Sequence, residues 1–298
     1  MVKLFSLFLV FFSLSYSDDF SLEDTQDSLA DRTFEVQRDP LIEKIKTFVE
    51  LDVYENNQKY IDIVFSPREE FFKGNTIDVV KVVATLKDNG LLKLFFNKPK
   101  ELNLHFKTSG SPLFFVKLMS DSLRNIGYYR YVTTSSNFNN TEFTWSISLT
   151  SEYATDPLVL QKELMKSGCK IIDINRTSST QWTYRVEMKN GFLNVQKLQD
   201  HQKVKLKRSM YSHWLNVSNM EVITIATSRR NSWYPYIAYY DKSLNLLKVI
   251  RRDRRSKRIT IKVPSQAKYM KISDIYTLKN VTEDLVLYPR SNRFSTHK

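Results

Sequence analysis

Residues 111–149 read SPLFFVKLMSDSLRNIGYYRYVTTSSNFNNTEFTWSISL, and their punctuation decides the fold. Ser111 offers a capping hydroxyl just before Pro112, a residue tolerated at the first position of a helix. Apolar residues then recur as far as Ile126, where Gly127 closes the helix. Glycine does this because it takes the left-handed backbone conformation without a Cβ penalty. Residues 128–133 and 142–149 follow as two strands. In the second, Phe143, Trp145, Ile147 and Leu149 alternate with polar neighbours, which marks a strand with one buried face.

The same plan of helix, glycine, strand, turn and strand recurs on both sides. Upstream it reads 77–89, Gly90, 91–96 and 101–107; downstream it reads 157–167, Gly168, 169–175 and 181–188. The downstream helix again opens on a cap and a proline, Asp156-Pro157. The whole chain holds six glycines, and three of them occupy this one position. They are therefore structural, and no glycine-rich phosphate-binding pattern occurs. Taken together, residues 101–188 carry the βαββαβ order of ferredoxin-like domains, followed by one more strand.

Beyond residue 204 the pattern changes to strands alone, at 221–227, 234–240, 246–250, 258–263, 269–276 and 284–288. Short strands separated by Ser, Asn, Asp and Pro predict a β-sandwich or jelly roll. The expected class is α+β: a repeated helix-strand-strand domain with ferredoxin-like order, then an all-β sandwich. Its expected divisions are a signal peptide at 1–17, a disordered acidic segment at 18–38 and an α+β domain with three αββ repeats at 39–190. A linker at 191–204, a sandwich at 205–290 and a tail at 291–298 complete it. Within the first domain, Asp39-Pro40 opens a helix reaching about Leu51, and residues 60–65 (YIDIVF) read as a strand.

The N-terminus carries one lysine, an apolar run from Leu4 to Leu14 and small residues at 15 and 17, the plan of a cleavable signal peptide. That run is shorter than the ~20 residues of a membrane span. Cys169 is the only cysteine, so no intrachain disulfide is possible, and stability must come from a core. Apolar residues at 42% and aromatics at 13% supply it. Few glycines with abundant Lys, Asn, Ile, Phe and Tyr fit an AT-rich genome, and the expected compartment is the periplasm of a Gram-negative bacterium. A net charge of +13, concentrated after residue 197, then faces headgroups, anionic glycans, peptidoglycan carboxylates or acidic proteins rather than nucleic acid.

Residues 236–248 (YIAYYDKSLNLLK) and 261–272 (IKVPSQAKYMKI) resemble galactose-binding-like jelly-roll domains in their strand-and-turn phrasing. The resemblance implies a sandwich and no particular ligand. The βαββαβ order resembles peptidoglycan-binding domains of the SPOR type in topology alone.

Catalytic patterns are absent. The histidines, His105, His201, His213 and His297, are scattered, no nucleophile elbow occurs, and Cys169 follows a capping glycine as a small buried hydrophobe would. No metal-binding spacing and no cofactor motif is found. The strongest chemical feature is the run Arg251, Arg252, Asp253, Arg254, Arg255, Ser256, Lys257, Arg258 between two strands. It predicts a hairpin with a cationic tip, able to dock carboxylate or phosphate, or else a solvated turn that discourages edge pairing. Arg229, Arg230, Trp233, Tyr234 and Tyr236 form a second candidate, a loop that stacks on a sugar ring unless Trp233 plugs the end of the sandwich. Asn175 lies in the one sequon with an acidic residue two positions earlier, Asp173, at an expected strand-to-turn junction, and is a candidate for N-glycosylation. The expectation is an exported, non-catalytic envelope protein docking an acidic protein or anionic surface, with glycan or peptidoglycan binding as the alternative.

Overall fold

Asp39 accepts the N–H of Leu41 at 2.9 Å and of Ile42 at 3.4 Å, which caps α1 (Pro40–Phe48). The computed structural model describes residues 39–291. The segments read as signal peptide and acidic lead-in, with residues 292–298, lie outside it. Leu41, Ile45 and Phe48 line one side of α1 and are fully buried. A second helix, α2 (Leu51–Val64), occupies the stretch read above as a strand at 60–65. The reason is visible in its burial. Tyr54, Ile61 and Phe65 share one helical stripe in the core, whereas Ile63, which a strand would bury beside Ile61, is 72% exposed. A short 3₁₀ turn (Arg68–Phe71) and a small hairpin, β1 (Phe72–Lys73) with β2 (Thr76–Ile77), lead to α3 (Val79–Asp88).

The central sheet begins with β3 (Phe95–Thr108), one long strand where the sequence suggested two strands and a turn. Pro99 explains the misreading. Its missing N–H cannot join a ladder, and the register breaks between Phe95 and Lys100 so that it is skipped. The first of the three αββ units therefore has no hairpin. The other two have their hairpins: α4 (Pro112–Asn125), β4 (Val132–Asn139) and β5 (Glu142–Tyr153), then α5 (Pro157–Met165), β6 (Lys170–Ser178) and β7 (Gln181–Glu187), with β4 beginning at Val132 and running past the strand expected at 128–133. Gly168, which ends the last of these helices at φ +68°, could not be another residue, since a Cβ there would meet the Asn190 carbonyl.

The five strands lie in the order β4-β5-β3-β7-β6, antiparallel except for β3 beside β7. A plain βαββαβ arrangement would set β6 against β3, but β7 takes that place. Trp182, Tyr184 and Val186 of β7 are all fully buried, and Tyr184 stacks on Phe106 of β3 with ring centroids 5.6 Å apart. The strand with the larger apolar load takes the interior position. The helices cover one face, where Leu104, Phe106, Trp145, Ile147, Phe115 and Met119 share a core.

The remaining strands are β8 (Val204–Leu206), β9 (His213–Asn216), β10 (Met220–Thr227), β11 (Pro235–Tyr240), β12 (Leu246–Arg251), β13 (Arg258–Lys262), β14 (Tyr269–Asp274) and β15 (Leu285–Ser291). They form two antiparallel four-stranded sheets, β13-β10-β15-β8 and β12-β11-β14-β9, whose inward residues meet in one second core. Ile223, Ile225 and Leu287 come from one sheet, and Ile237, Tyr239 and Ile272 from the other. The fold is thus mixed α and β, β-rich, with the sandwich expected from the strand pattern. No helix among the described residues is long and apolar enough to cross a membrane.

The two cores touch at one end of the sandwich. Asp241 accepts the N–H groups of Ser243 (2.8 Å) and Asn245 (2.9 Å), which bends the β11–β12 turn and leaves Leu244 at φ +62°. Leu244 and Tyr269 project into the α+β core, and the Ser111 hydroxyl at the start of α4 donates to the Ser243 carbonyl at 3.0 Å. The ammonium groups of Lys117 and Lys271 lie 5.1 and 5.8 Å from the ring of Trp214 of β9.

Candidate functional site

β12 starts at this junction and runs away from it for six residues, about 20 Å at ~3.3 Å per residue. Arg251 and the basic run that follows therefore sit at the far end of the sandwich. The run is not a hairpin tip. β12 and β13 belong to different sheets, and residues 252–257 cross from one to the other. Two apolar-alternating strands around a charged stretch look the same locally whether they pair or part.

This crossover is held against the loop that contains the second candidate. The Arg252 N–H donates to the Pro235 carbonyl at 3.0 Å and the Ser256 N–H to the Trp233 carbonyl at 2.9 Å. Arg255 Nε donates to the Asn231 carbonyl at 2.9 Å, and its Nη2 to that of Arg229. Asn231 is itself buried. Its Oδ1 accepts the Glu283 N–H at 2.7 Å, and its Nδ2 donates to the Glu283 carbonyl at 2.9 Å. The structure therefore brings both arginine-bearing stretches to one end, with Arg255 as the tie between them.

Arg229, Arg230, Arg251, Arg254, Lys257 and Arg258 are exposed there, with Arg252 half-buried. Arg230 pairs with Glu283 and Arg251 with Asp253, each at 3.3 Å. Arg258 lies over the Tyr288 ring at 5.8 Å. Among the described residues, no carboxylate comes within 4 Å of Arg229, Arg254 or Lys257. These three are the side chains free to meet an incoming anion.

Trp233 corrects the sugar-stacking reading. It is 0% exposed, and its Nε1 donates to the Ser273 carbonyl at 2.9 Å, so no face is open to a ring and it plugs the sandwich. Tyr234 is half-buried, edge-on to Tyr276 at 5.1 Å, and Tyr236 is half-buried on β11. Tyr276, 64% exposed, is an open aromatic of this end, and strand periodicity had placed it inside β14.

Asn175 is exposed but stands within β6, opposite Thr183, rather than at a strand-to-turn junction. The next residue, Arg176, is buried over Trp182 and donates to the Phe48 carbonyl, which anchors the end of α1. Cys169 is 1% exposed, and burial pushes its thiol up to about 11. The His105 Nδ1 lies 2.8 Å from the Ser146 hydroxyl on the face of the sheet without helices. Burial and then Lys107 hold its imidazole below its ordinary value. Among the described residues, no three His, Cys, Asp or Glu side chains gather as metal ligands.

One cavity escaped the sequence reading. It holds about 450 Å³ between the ends of α3 and α4 and the start of α5, lined by Leu92, Phe95, Ile126, Tyr128 and Val159. The Lys87–Asp156 ion pair closes its rim. Its walls come from the joints of all three units, where periodicity carries no signal.

No family model matches the sequence, and no curated protein matches it. Among solved structures, the accessory secretory protein 1, 2 and 3 assembly of Streptococcus pneumoniae is similar over 32% of this chain and 83% of that one. The sequence identity is 10% and the TM-score 0.19, too low for the likeness to bear on fold or function.

Proposed function

We propose that this is an exported, non-catalytic interaction protein of the periplasm that docks an anionic partner through the basic end of its sandwich. The observation that carries the reading is the tie made by Arg255. It locks residues 229–231 to the crossover and leaves Arg229, Arg254 and Lys257 without carboxylate partners. A guanidinium set on an ordered loop loses less side-chain entropy on binding than one on a free tail, and Arg can meet carboxylate or phosphate with two parallel hydrogen bonds.

The fold reading goes with it. Numbering the sandwich strands one to eight, the orders 1-8-3-6 and 2-7-4-5 support a jelly roll of two Greek keys. The α+β half is read as a ferredoxin-like order in which an added strand, β7, has entered between the first and last strands.

The test is recovery of partners from gently crosslinked cells with the wild type and with Arg254→Glu plus Lys257→Glu. A reproducible set of envelope partners that the reversed charges abolish supports the reading; partners retained by the variant overturn it. Salt should weaken capture, since both side chains are exposed. The glycan alternative now rests on the exposed Tyr276 and predicts that Tyr276→Ala loses binding to purified sacculi. Trp233→Ala no longer discriminates, because emptying a fully buried site costs about 3–5 kcal/mol and destabilises the whole sandwich.

A further inference from the structure

Two helices of the α+β half end in the same pattern of bonds, and both ends wall the cavity rimmed by Lys87 and Asp156. At the end of α3, the Gly90 N–H donates to the Lys87 carbonyl at 3.0 Å and the Leu91 N–H to that of Leu86 at 2.9 Å. At the end of α4, Gly127 donates to Arg124 at 3.1 Å and Tyr128 to Leu123 at 2.9 Å. The first turn delivers Leu92 and Leu94 to the cavity, and the second delivers Ile126 and Tyr128. Residues 154–156 complete the wall and are equally well held. The Ala154 N–H donates to the Leu94 carbonyl at 2.7 Å, and the Tyr184 hydroxyl to the Thr155 carbonyl at 3.0 Å. Asp156 caps α5 by accepting the Leu158 N–H at 2.9 Å.

Three apolar side chains of this wall stay about half exposed: Phe95 and Tyr153 at 55% each, with rings 5.2 Å apart, and Val159 at 46%. A concave site of about 450 Å³ with such walls has the size and character of a small-molecule pocket, typically ~300–1,000 Å³, mostly apolar, with few polar groups. Of its ten lining residues only Lys87 and Asp156 carry charge. What each has left to offer decides the head group. Asp156 spends Oδ1 on the Leu158 N–H and Oδ2 on Lys87. An ammonium has three donors and no acceptor, and Asp156 is the one partner of Lys87 among the described residues. Donors therefore remain at the rim while both carboxylate oxygens are engaged.

We infer that this cavity binds a small amphiphilic carboxylate, its apolar body against Phe95, Ile126 and Tyr153 and its head group on Lys87. A carboxylate accepts from the free Lys87 donors in a charge-assisted bond, and its body covers the three half-exposed side chains. An ammonium head group would have to displace Lys87 from Asp156 and would be repelled by it. A ligand without a polar head would gain nothing from the rim. The cavity belongs to the α+β half and the basic crossover to the sandwich, so the inference stands whether or not that crossover docks an anion.

Calorimetric titration of the full chain with decanoate and with decylammonium, each kept below micelle formation, tests it. The expected result is saturable one-to-one binding of decanoate, about tenfold or more tighter than decylammonium, a difference of ~1.4 kcal/mol or more. Lys87→Gln should weaken decanoate by about tenfold and erase that preference. Val159→Trp should abolish binding, because the indole occupies the open side of the cavity. Both side chains are partly exposed, at 40% and 46%, and unchanged circular dichroism would show that the variants are folded. The comparison of head groups needs no variant, and it carries the test if either one fails to fold. Absence of saturable decanoate binding overturns the inference, as does decylammonium binding equally well. So does decanoate binding that survives Val159→Trp or is unchanged by Lys87→Gln.

Discussion

The Tyr269 hydroxyl accepts the backbone N–H of Leu193 at 3.0 Å, although the two residues belong to different halves of the molecule. Tyr269 starts β14, its ring lies in the α+β core, and its oxygen satisfies the backbone of Leu193, whose side chain is buried in the same core. Tyr269→Phe would leave the ring in place and strand a buried donor, at a cost of about 1–3 kcal/mol. Urea unfolding should show a lower midpoint with an unchanged slope. A variant as stable as the wild type would mean that the connector is held by other contacts.

Cys169 tests the packing of the last repeat. With the thiol raised to about 11 by burial, only about one part in a thousand is thiolate at pH 8. A thiol reagent should leave the native protein unlabelled for as long as it stays folded and react at once in denaturant. Rapid labelling of the native protein would place Cys169 in a region that opens readily.

Acid should weaken the fold through two histidines. Burial, then Lys107, lowers the pKa of His105, and burial lowers that of His213. The unfolded chain takes up these protons near pH 6.5, while the folded chain resists them until lower pH. Stability from both groups is therefore present above about 6.5 and is lost as pH falls toward the folded values. The Tm should drop between about pH 7.5 and about pH 5.5. His105→Asn with His213→Asn should shrink that drop, and an equal drop in the double variant would assign the acid sensitivity to other groups.

Much of the fold was legible because it is written in local chemistry. The caps Asp39 and Asp156 bond their helix N-termini, and Gly90, Gly127 and Gly168 all adopt positive φ. The alternation of Phe143, Trp145 and Ile147 does point into the core. What stayed hidden depends on partners distant in sequence. Nothing near Arg251 or Arg258 says that their strands join different sheets, and nothing near Trp182 says that β7 will displace β6. β8 and β9, with three and four residues, are too short to display a period. The candidate site was legible in its parts, since both arginine stretches stood out. Their meeting rests on Asn231 and Arg255, whose roles are set by backbone atoms that no motif records.

The parallel pairing of β3 with β7 has a consequence for how the chain is made. Residues 103–107 lie against 181–185, so the middle of the sheet is completed by a segment that leaves the ribosome almost eighty residues later. Until then β3 has β5 on one side and an open ladder on the other, with Leu104 and Phe106 lacking the cover of Trp182 and Tyr184. Long-range pairings of this kind form slowly, and an unpaired interior strand is prone to aggregate. A chain shortened anywhere between Asn139 and Gln181 would keep its β4–β5 region incomplete or its central strand bare, so the α+β half has no stable stopping point before residue 187. Under the proposed export, that favours translocation before folding and makes the emerging nascent chain, rather than the finished molecule, the form most in need of a chaperone.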